Sequence, residues 1–177
     1  MAALHYELAQ PEDGDLDSFD CGDIEVNHFF RSRQWFHKDR GEISPPTYQF
    51  LTADKGSVIG YAAATIGNSA HPDDLSTTKK KYLVIYALGV YQHFHGVVNP
   101  ASNETETYAT SMLRIFEGYA LDHRTCMGMS LRVRDNNARA KAFYARFGFI
   151  PDPGGPVQRD KNGTGAPHLT MRKLLLR

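Results

Sequence analysis

The stretch from residue 129 to residue 150 constrains the fold more than any other part of the chain. Its first residues alternate between apolar and polar, which predicts a β-strand, and polar residues suited to capping a helix follow. The next turns place apolar side chains on one helix face, at Ala140, Phe143, Tyr144 and Phe147. Gly148 can then take the left-handed conformation that ends a helix. The stretch therefore predicts a strand, a helix and a return to extended chain.

Composition narrows the class of protein. The chain has 177 residues, 41% of them hydrophobic, which predicts one folded domain over residues 1–177. Its formal net charge is +0, so no overall field attracts nucleic acid or an anionic membrane. Cys21 and Cys126 stand far apart and outside metal-ligand spacing, which indicates reduced thiols and no metal site. We find no signal peptide and no apolar run long enough to span a bilayer, so we expect a cytoplasmic protein without a membrane partner.

The first half of the chain predicts strands around one helix. Residues 4–9 alternate as a strand, and a helix is expected from Phe19 to Phe30 with Asp20 or Asp23 as its cap. The remaining segments of this half are a polar loop at 38–46, a β-hairpin from 47–52 and 57–66, and a polar connection at 67–81 that ends in three lysines.

The second half is organised around the only continuous apolar run, residues 82–90. That run predicts a central strand covered on both faces. A loop follows, and Asn103 and Glu106 have the spacing of a capping box for a long helix that ends near His123. The strand, helix and strand of the opening paragraph complete the order. We therefore predict an α/β (α+β) domain with a central mixed sheet flanked by helices.

The spacing Asn137-x-x-Ala140-x-x-Phe143-Tyr144-x-x-x-Gly148-Phe149 resembles the last conserved block of the GNAT N-acetyltransferases. This resemblance implies a single GNAT acyl-CoA N-acyltransferase fold, with acetyl-CoA as the cosubstrate. It also implies that Asn137 contacts the pantetheine arm, that Ala140 and Phe143 belong to the same coenzyme-binding block, and that Tyr144 donates a proton to the departing thiolate.

Three further segments are similar to one subgroup, the GNAT toxins of bacterial toxin–antitoxin pairs. They are Phe19-Asp20-Cys21-Gly22 with Val26, Asn27 and Phe29, then Gly41 with Thr47-Tyr48, and Ile59-Gly60-Tyr61; the block around Tyr144 fits the subgroup as well. Members of that subgroup acetylate the α-amino group of aminoacyl-tRNA, so the resemblance implies tRNA and a small antitoxin protein as partners, and GNAT domains often form homodimers. A basic face for tRNA would come from Arg31, Arg33, Lys38, Arg40 and residues 79–81.

The chain departs from the family between the central strand and the long helix. The family has a glycine-rich pyrophosphate loop there, whereas this chain has a longer segment with one glycine, Gly96. Glu104 and Glu106 stand near the start of the helix, where a carboxylate stabilises the helix by ~0.3–1 kcal/mol but repels a phosphate. Two hypotheses stay open. In the first, the backbone amides of residues 96–98 bind the pyrophosphate in a rebuilt loop, with charge from His93 or His95. In the second, the chain is a non-catalytic GNAT-fold binding module. The two histidines also suit ordinary surface positions.

For a catalytic chain, the backbone amides of Leu88, Gly89 and Val90 are expected to polarise the thioester carbonyl, with Gly89 marking a bulge. No carboxylate stands out as a general base. That favours an acceptor whose amine is partly neutral at pH 7, such as an α-amino group with a pKa of about 7.7–8.0, over a lysine amine at about 10.4. A small amine or a protein terminus is a further option for the acceptor.

Overall fold

The computed structural model describes residues 4–69, 80–102, 105–158 and 165–176. Within them lie the helices α1 (Ile24–Arg31), α2 (Tyr108–Asp122) and α3 (Ala138–Arg146). The strands are β1 (His5–Leu8), β2 (Phe36–His37), β3 (Glu42–Ile43), β4 (Thr47–Leu51), β5 (Val58–Ser69), β6 (Lys80–Val90), β7 (Cys126–Arg134), β8 (Ile150–Pro151) and β9 (His168–Leu174). This order agrees with the predicted one, with the short hairpin β2–β3 added.

Seven strands form one sheet in the order β1-β4-β5-β6-β7-β9-β8. The apolar run of the sequence is therefore the middle strand, as predicted. β6 runs parallel to β7, whereas β1–β4, β4–β5, β7–β9 and β8–β9 are antiparallel, which confirms a mixed sheet. The expectation that the middle strand is covered on both faces is wrong at Tyr86, whose side chain is 54% exposed.

The chain divides into two compact units. The first comprises Met1–Thr65 and Tyr86–Phe116, and the second comprises Ile66–Ile85 and Glu117–Arg177. Strands β5 and β6 and helix α2 each run from one unit into the other.

An aromatic cluster forms the core of the first unit. Phe19, Phe30, Trp35 and Tyr61 are each 0% exposed. The ring of Phe19 meets the rings of Phe30 and Tyr61 edge-on, with centroids 5.4 and 5.2 Å away. Burying a large apolar side chain stabilises the fold by ~1.5–3 kcal/mol. The residues ahead of α1 therefore belong to the core although they lie outside the helix.

Gly60 on β5 lets its neighbour β6 approach closely. A Cβ built on Gly60 would lie 2.2 Å from the carbonyl oxygen of Gly89, which no side chain tolerates. Gly60 thus permits the close approach, and the backbone of Gly89 is the group that approaches.

The second unit is built on β7. This strand pairs in parallel with β6 from Lys81 to Ile85 and antiparallel with β9 from Gly128 to Arg134. The predicted alternation places Met129, Leu131 and Val133 in the buried layer. On β9, Lys173 forms an ion pair with Glu117 and donates a hydrogen bond to the carbonyl of Phe147. These contacts attach the end of α3 to the sheet.

Several predicted boundaries are wrong. Helix α1 begins at Ile24 rather than Phe19, because the carboxylate of Asp23 accepts hydrogen bonds from the amides of Glu25 and Val26 and so caps the helix there. The polar loop at 38–46 contains β3 and part of a short hairpin. The polar connection at 67–81 is shorter than expected, since β5 continues through Ser69 and β6 begins at Lys80. Residue 79 of the lysine run lies outside the described residues.

The start of α2 also differs from its prediction. The helix begins at Tyr108, and the hydroxyl of Thr107 accepts a hydrogen bond from the amide of Thr110 at 3.4 Å, the geometry of a helix cap. The side chain of Glu106 instead contacts Arg114. The predicted cap, Asn103, and its neighbour Glu104 lie outside the described residues.

No helix among the described ranges combines the length and the apolarity that a membrane crossing requires.

Candidate active site

In the first unit, the end of β6 carries the amides predicted to polarise a thioester carbonyl. The amide of Tyr91 donates to the carbonyl of Ile59 on β5 at 2.9 Å. Successive residues of a regular strand turn their amides to opposite edges, so those of Leu88 and Val90 point away from β5 and that of Gly89 points toward it. The register of β6 with β7 ends at Ile85. Leu88 and Val90 lie beyond that register, on the edge that faces away from β5. Their amides are therefore the stronger candidates, among the predicted three, for binding the thioester carbonyl.

Gly89 lies under the segment that precedes α1. A Cβ built on Gly89 would lie 2.8 Å from the ring of Phe19, 2.9 Å from Val26 and 3.0 Å from the sulfur of Cys21. Distances under 3.0 Å exclude a side chain unless the surroundings move. The Phe-Asp-Cys-Gly segment thus fixes the backbone position of the strand end, which gives this segment a physical role beyond that of a family marker.

Hydrogen bonds hold the same segment in place. The Asp20 carboxylate accepts from the Gly22 amide at 2.9 Å and from the Asn27 and Gln92 side chains, each at 2.8 Å. The Gln92 amide donates to the Asp20 carbonyl at 3.0 Å, and the Cys21 amide donates to the Asn27 side chain at 2.8 Å. The hydrogen bond from Gly22 is the largest cause that lowers the pKa of Asp20, and those from Asn27 and Gln92 also lower it. Asp20 therefore remains a carboxylate at neutral pH.

The turn after β6 contains the two histidines. Nε2 of His95 lies 2.8 Å from the carbonyl oxygen of Val90, so this nitrogen carries the proton of that hydrogen bond. The exposed ring of His93 contacts Phe94, with centroids 4.4 Å apart. Gly96 has a φ of +71°, and its side-chain position is open. The structure thus places Gly96 where a left-handed turn is needed, next to a histidine that is bound to the strand end.

A loop anchored by one buried residue leads from this turn to α2. Asn99 is 3% exposed. Its backbone amide donates to the carbonyl of Glu106 at 2.7 Å. Its side-chain nitrogen donates to the Ser111 hydroxyl at 3.1 Å, and its side-chain oxygen accepts from the backbone amide of Ala101 at 3.1 Å. The Val97 amide, one of those predicted to bind phosphate, donates to the Phe94 carbonyl at 3.2 Å. Asn99 therefore ties the described part of this loop to α2, and the Val97 amide already has an acceptor.

The charge of Glu106, which lies just before α2, is paired with a side chain of that helix. Its carboxylate lies 3.1 Å from Nε of Arg114, two turns along α2. This contact offsets the repulsion that a lone carboxylate would exert on a phosphate at the helix start. Both side chains belong to the first unit.

In the second unit, α3 carries the remaining predicted residues. Asn137 caps the helix, because its side-chain oxygen accepts from the Ala140 amide at 3.0 Å. A hydrogen bond from Asn137 to a pantetheine carbonyl would therefore come from its amide nitrogen. Lys141 contacts Asp135 at 2.9 Å and fixes the turn ahead of the helix. Ala140 and Phe143 are both partly exposed.

Tyr144 is held by the end of α3. Gly148 has a φ of +99°. The Phe149 amide donates to the Tyr144 carbonyl and the Gly148 amide to the Ala145 carbonyl, each at 3.0 Å, which is the Schellman pair of hydrogen bonds. The Tyr144 ring, 9% exposed, meets the Phe149 ring edge-on at 5.7 Å. The backbone hydrogen bonds thus fix the main chain at Tyr144, and the contact with Phe149 positions its ring.

The family model for the GNAT acetyltransferases matches residues 15–149, which include both the β6 end and α3. The chain belongs to the GNAT family of acetyltransferases. This membership confirms the predicted fold and the acyltransferase class. No curated protein matches the chain at the level used for comparison.

Solved structures share this fold at low sequence identity. The Arabidopsis thaliana NAA60 structure in complex with a bisubstrate analogue is 15% identical, with a TM-score of 0.63 over 98% of this chain and 100% of that one. A crystal structure of a bacterial toxin is 17% identical, with a TM-score of 0.65 over 98% and 92%. A mutant AtaT toxin, bound to acetyl-CoA and the C-terminus of the antitoxin AtaR, is 16% identical, with a TM-score of 0.58 over 97% and 92%.

Sequence reasoning missed three residues that organise this region: Asp20, Asn99 and Arg114. The sequence indicated Asp20 as a candidate helix cap and as part of a toxin-like segment, but not as the acceptor that holds this segment together. The Asn-Pro pair at Asn99 is a turn signal that could have drawn attention to that residue. Arg114 is eight residues from Glu106, outside the spacings that predict helical ion pairs, so no local pattern indicates their contact.

Proposed function

We propose that this chain moves an acetyl group from acetyl-CoA to a primary amine, and that the amine is the α-amino group of aminoacyl-tRNA. The observation that carries the proposal is the anchored Tyr144, which α3 presents with Asn137 as its cap. Family membership supports the acyl-transfer chemistry, and the toxin-like segments support the acceptor.

Each predicted residue has a role in the proposed reaction. The neutral amine attacks the thioester carbonyl, whose developing negative charge the amides of Leu88 and Val90 stabilise. The new bond between nitrogen and carbon forms as the bond between carbon and sulfur breaks. Tyr144 gives its proton to the thiolate, the amine loses a proton to solvent, and solvent restores the tyrosine. Asn137 binds the pantetheine arm, and Ala140 and Phe143 contact the coenzyme.

The pyrophosphate is proposed to bind near Gly96 and the start of α2. The ion pair between Glu106 and Arg114 supports this site, since the charge that would repel a phosphate is compensated. His95 supports it as well, because its ring is held at the strand end by the Val90 carbonyl.

Partners follow from the same proposal. Aminoacyl-tRNA is the acceptor, a small antitoxin protein restrains the enzyme, and two copies form a homodimer. The basic face predicted for tRNA is reduced in one respect: Arg33 is paired with Asp17 at 2.8 Å and Arg40 with Glu42 at 3.6 Å. A phosphate contact is retained in the proposal for Arg31, Lys38 and residues 80–81, and residue 79 lies outside the described residues.

One observation favours the alternative, a non-catalytic binding module. The backbone amide of Val97, predicted to bind phosphate, instead donates a hydrogen bond to the Phe94 carbonyl. Under this alternative the chain keeps the fold and binds another molecule without acetyl transfer.

Replacing Tyr144 tests the proposed chemistry. We expect Tyr144→Phe to lower kcat about 10²–10⁴-fold, the usual contribution of a positioned acid, and to leave the affinity for acetyl-CoA unchanged. The measurement is transfer of labelled acetyl groups to total aminoacyl-tRNA. Tyr119→Phe, at an exposed position of α2, is the matched control and should retain activity. Equal rates for the Tyr144→Phe variant and the wild type would contradict the role of this hydroxyl.

A further inference from the structure

A groove of about 430 Å³ opens along the outer face of α1, within the first unit. Residues spaced at i, i+3, i+4 and i+7 line it from the helix: Ile24, Asn27, His28 and Arg31. Asp20, Gly22 and Gln92 complete the lining. This volume lies in the range of small-molecule sites, and the residue spacing shows that one whole face of the helix borders the groove.

The groove carries a fixed anion. The three donors to the Asp20 carboxylate hold it in one orientation, and two of them, Asn27 and Gln92, themselves line the groove. Asp20 is partly exposed. A carboxylate held this way can accept a further hydrogen bond from a ligand N–H, because each oxygen has two acceptor positions.

The groove also carries a cation. Nε of Arg31 donates to the Phe19 carbonyl, which leaves the two terminal nitrogens of the guanidinium for an anionic ligand group. His28 lies one turn earlier on the same face and is exposed. A ligand with both an amine and an anionic group would therefore find a partner for each.

The groove adjoins the end of the central strand. Gln92 stands two residues after Val90, and its amide bonds the Asp20 carbonyl. The sulfur of Cys21, the residue next to Asp20, contacts the position of Gly89. The anion of the groove thus belongs to the segment that fixes the amides proposed to hold the thioester carbonyl.

We propose that this groove is the acceptor site, with Asp20 accepting a hydrogen bond from the acceptor amine and Arg31 binding an anionic group, such as a phosphate, on the same molecule. The inference rests on the proposed function and adds the place where the acceptor binds: Asp20 for the amine of the aminoacyl group and Arg31 for a phosphate of the nucleotide.

The first test uses puromycin, an aminonucleoside with a free α-amino group. Asp20→Asn raises the KM for puromycin about two- to fivefold, as expected for the loss of a partly exposed charge pair. At saturating puromycin, the midpoint of the rise of kcat with pH also moves to lower pH, because removing an anion lowers the pKa of the bound amine. Asp39→Asn, an exposed carboxylate outside the groove, changes neither quantity.

A second variant guards against damage to the Asp20 network. Ile24 is 74% exposed, so Ile24→Arg cannot disturb the core, yet it adds a cation to the groove. It raises the KM for puromycin, whereas Leu176→Arg, at a residue 95% exposed, does not. Thermal unfolding of both variants matches that of the wild type.

The anionic subsite is tested with puromycin 5′-monophosphate. The wild type has a higher kcat/KM for the phosphate ester than for puromycin itself. Arg31→Gln removes this preference, Arg31→Lys retains it, and Arg40→Gln, outside the groove, leaves it unchanged.

An unchanged KM and an unchanged pH midpoint in Asp20→Asn, together with an unchanged KM in Ile24→Arg, would overturn the acceptor site while leaving acetyl transfer intact. Failure of the wild type to bind acetyl-CoA or to acetylate aminoacyl-tRNA would instead overturn the proposed function, and the acceptor site with it.

Discussion

Cys21 lies where the segment ahead of α1 meets the central strand. Its sulfur contacts the position of Gly89, and burial raises the pKa of the thiol to about 11. The neutral thiol is thus the form that the folded protein stabilises. This makes the residue a pH-dependent contributor to folding rather than a reactive nucleophile.

The pH dependence of stability tests this account of Cys21. The unfolded thiol loses its proton near pH 9, and the folded one only near pH 11, so the free energy of unfolding falls as the pH rises between these values. Cys21→Ala should reduce that fall, as measured by urea unfolding at pH 8, 9, 10 and 11. Parallel curves for the variant and the wild type would show that the thiol keeps its ordinary pKa.

At the scale of single residues, the sequence predicted roles that depend on neighbours along the chain better than roles that depend on tertiary contacts. Asp23 and Asn137 were among the cap candidates, and Gly148 was the predicted stop, because these roles are local, within four residues of the chain. Asp20 and Asn99 were not assigned their roles, because their hydrogen bonds join segments that the fold alone brings together. Arg114 follows the same rule.

Helix α3 is the element on which the proposed chemistry depends most. Its start is capped by Asn137, and its end is a Schellman motif in which the amide of Phe149 bonds the carbonyl of Tyr144. Lys173 holds the same end from β9, through the Phe147 carbonyl at 2.9 Å. The position of Tyr144 therefore depends on the stop of the helix as much as on its apolar face.

Two glycines distinguish a glycine that the backbone conformation requires from one that it does not. Gly148→Ala places a side chain at a φ of +99° and should destabilise the protein by about 1–2 kcal/mol. Gly118, inside α2, has nothing within 4 Å of its side-chain position, so Gly118→Ala should stabilise by about 0.5–1 kcal/mol. Thermal unfolding should show shifts in opposite directions, at roughly 2–4 °C per kcal/mol. Shifts of the same sign would contradict the backbone argument.

Element types were predicted well from periodicity, whereas boundaries were decided by tertiary contacts. α2 and α3 have apolar faces strong enough to identify from sequence. The start of α2 moved to Tyr108 because the preceding loop is tied by Asn99 to the helix itself, and a capping-box spacing contains no information about that contact. β5 extends to Ser69 although its last residues are polar, since pairing in a sheet overrides residue preference.

At the scale of the whole chain, a GNAT fold is combined with a segment between β6 and α2 that lacks the glycine-rich pyrophosphate loop of the family. Asn99 ties the described part of the preceding loop to α2, and Glu106 pairs with Arg114; we propose that this arrangement replaces the missing glycines. If this replacement works, the chain binds acetyl-CoA. If it does not, the fold serves as a binding module.

Arg114 provides the control for that choice. Arg114→Gln should weaken acetyl-CoA binding, because Glu106 then faces the phosphates without its partner. Adding Glu106→Gln to the same protein should restore most of the affinity, since both charges are then absent.

The most direct test of the central claim is a calorimetric titration of the purified wild-type chain with acetyl-CoA. The account predicts one site per chain with a dissociation constant on the order of micromolar, a free energy of about −8 kcal/mol. Absence of binding at millimolar acetyl-CoA would contradict the proposed acetyl transfer and leave the non-catalytic module as the function of this fold.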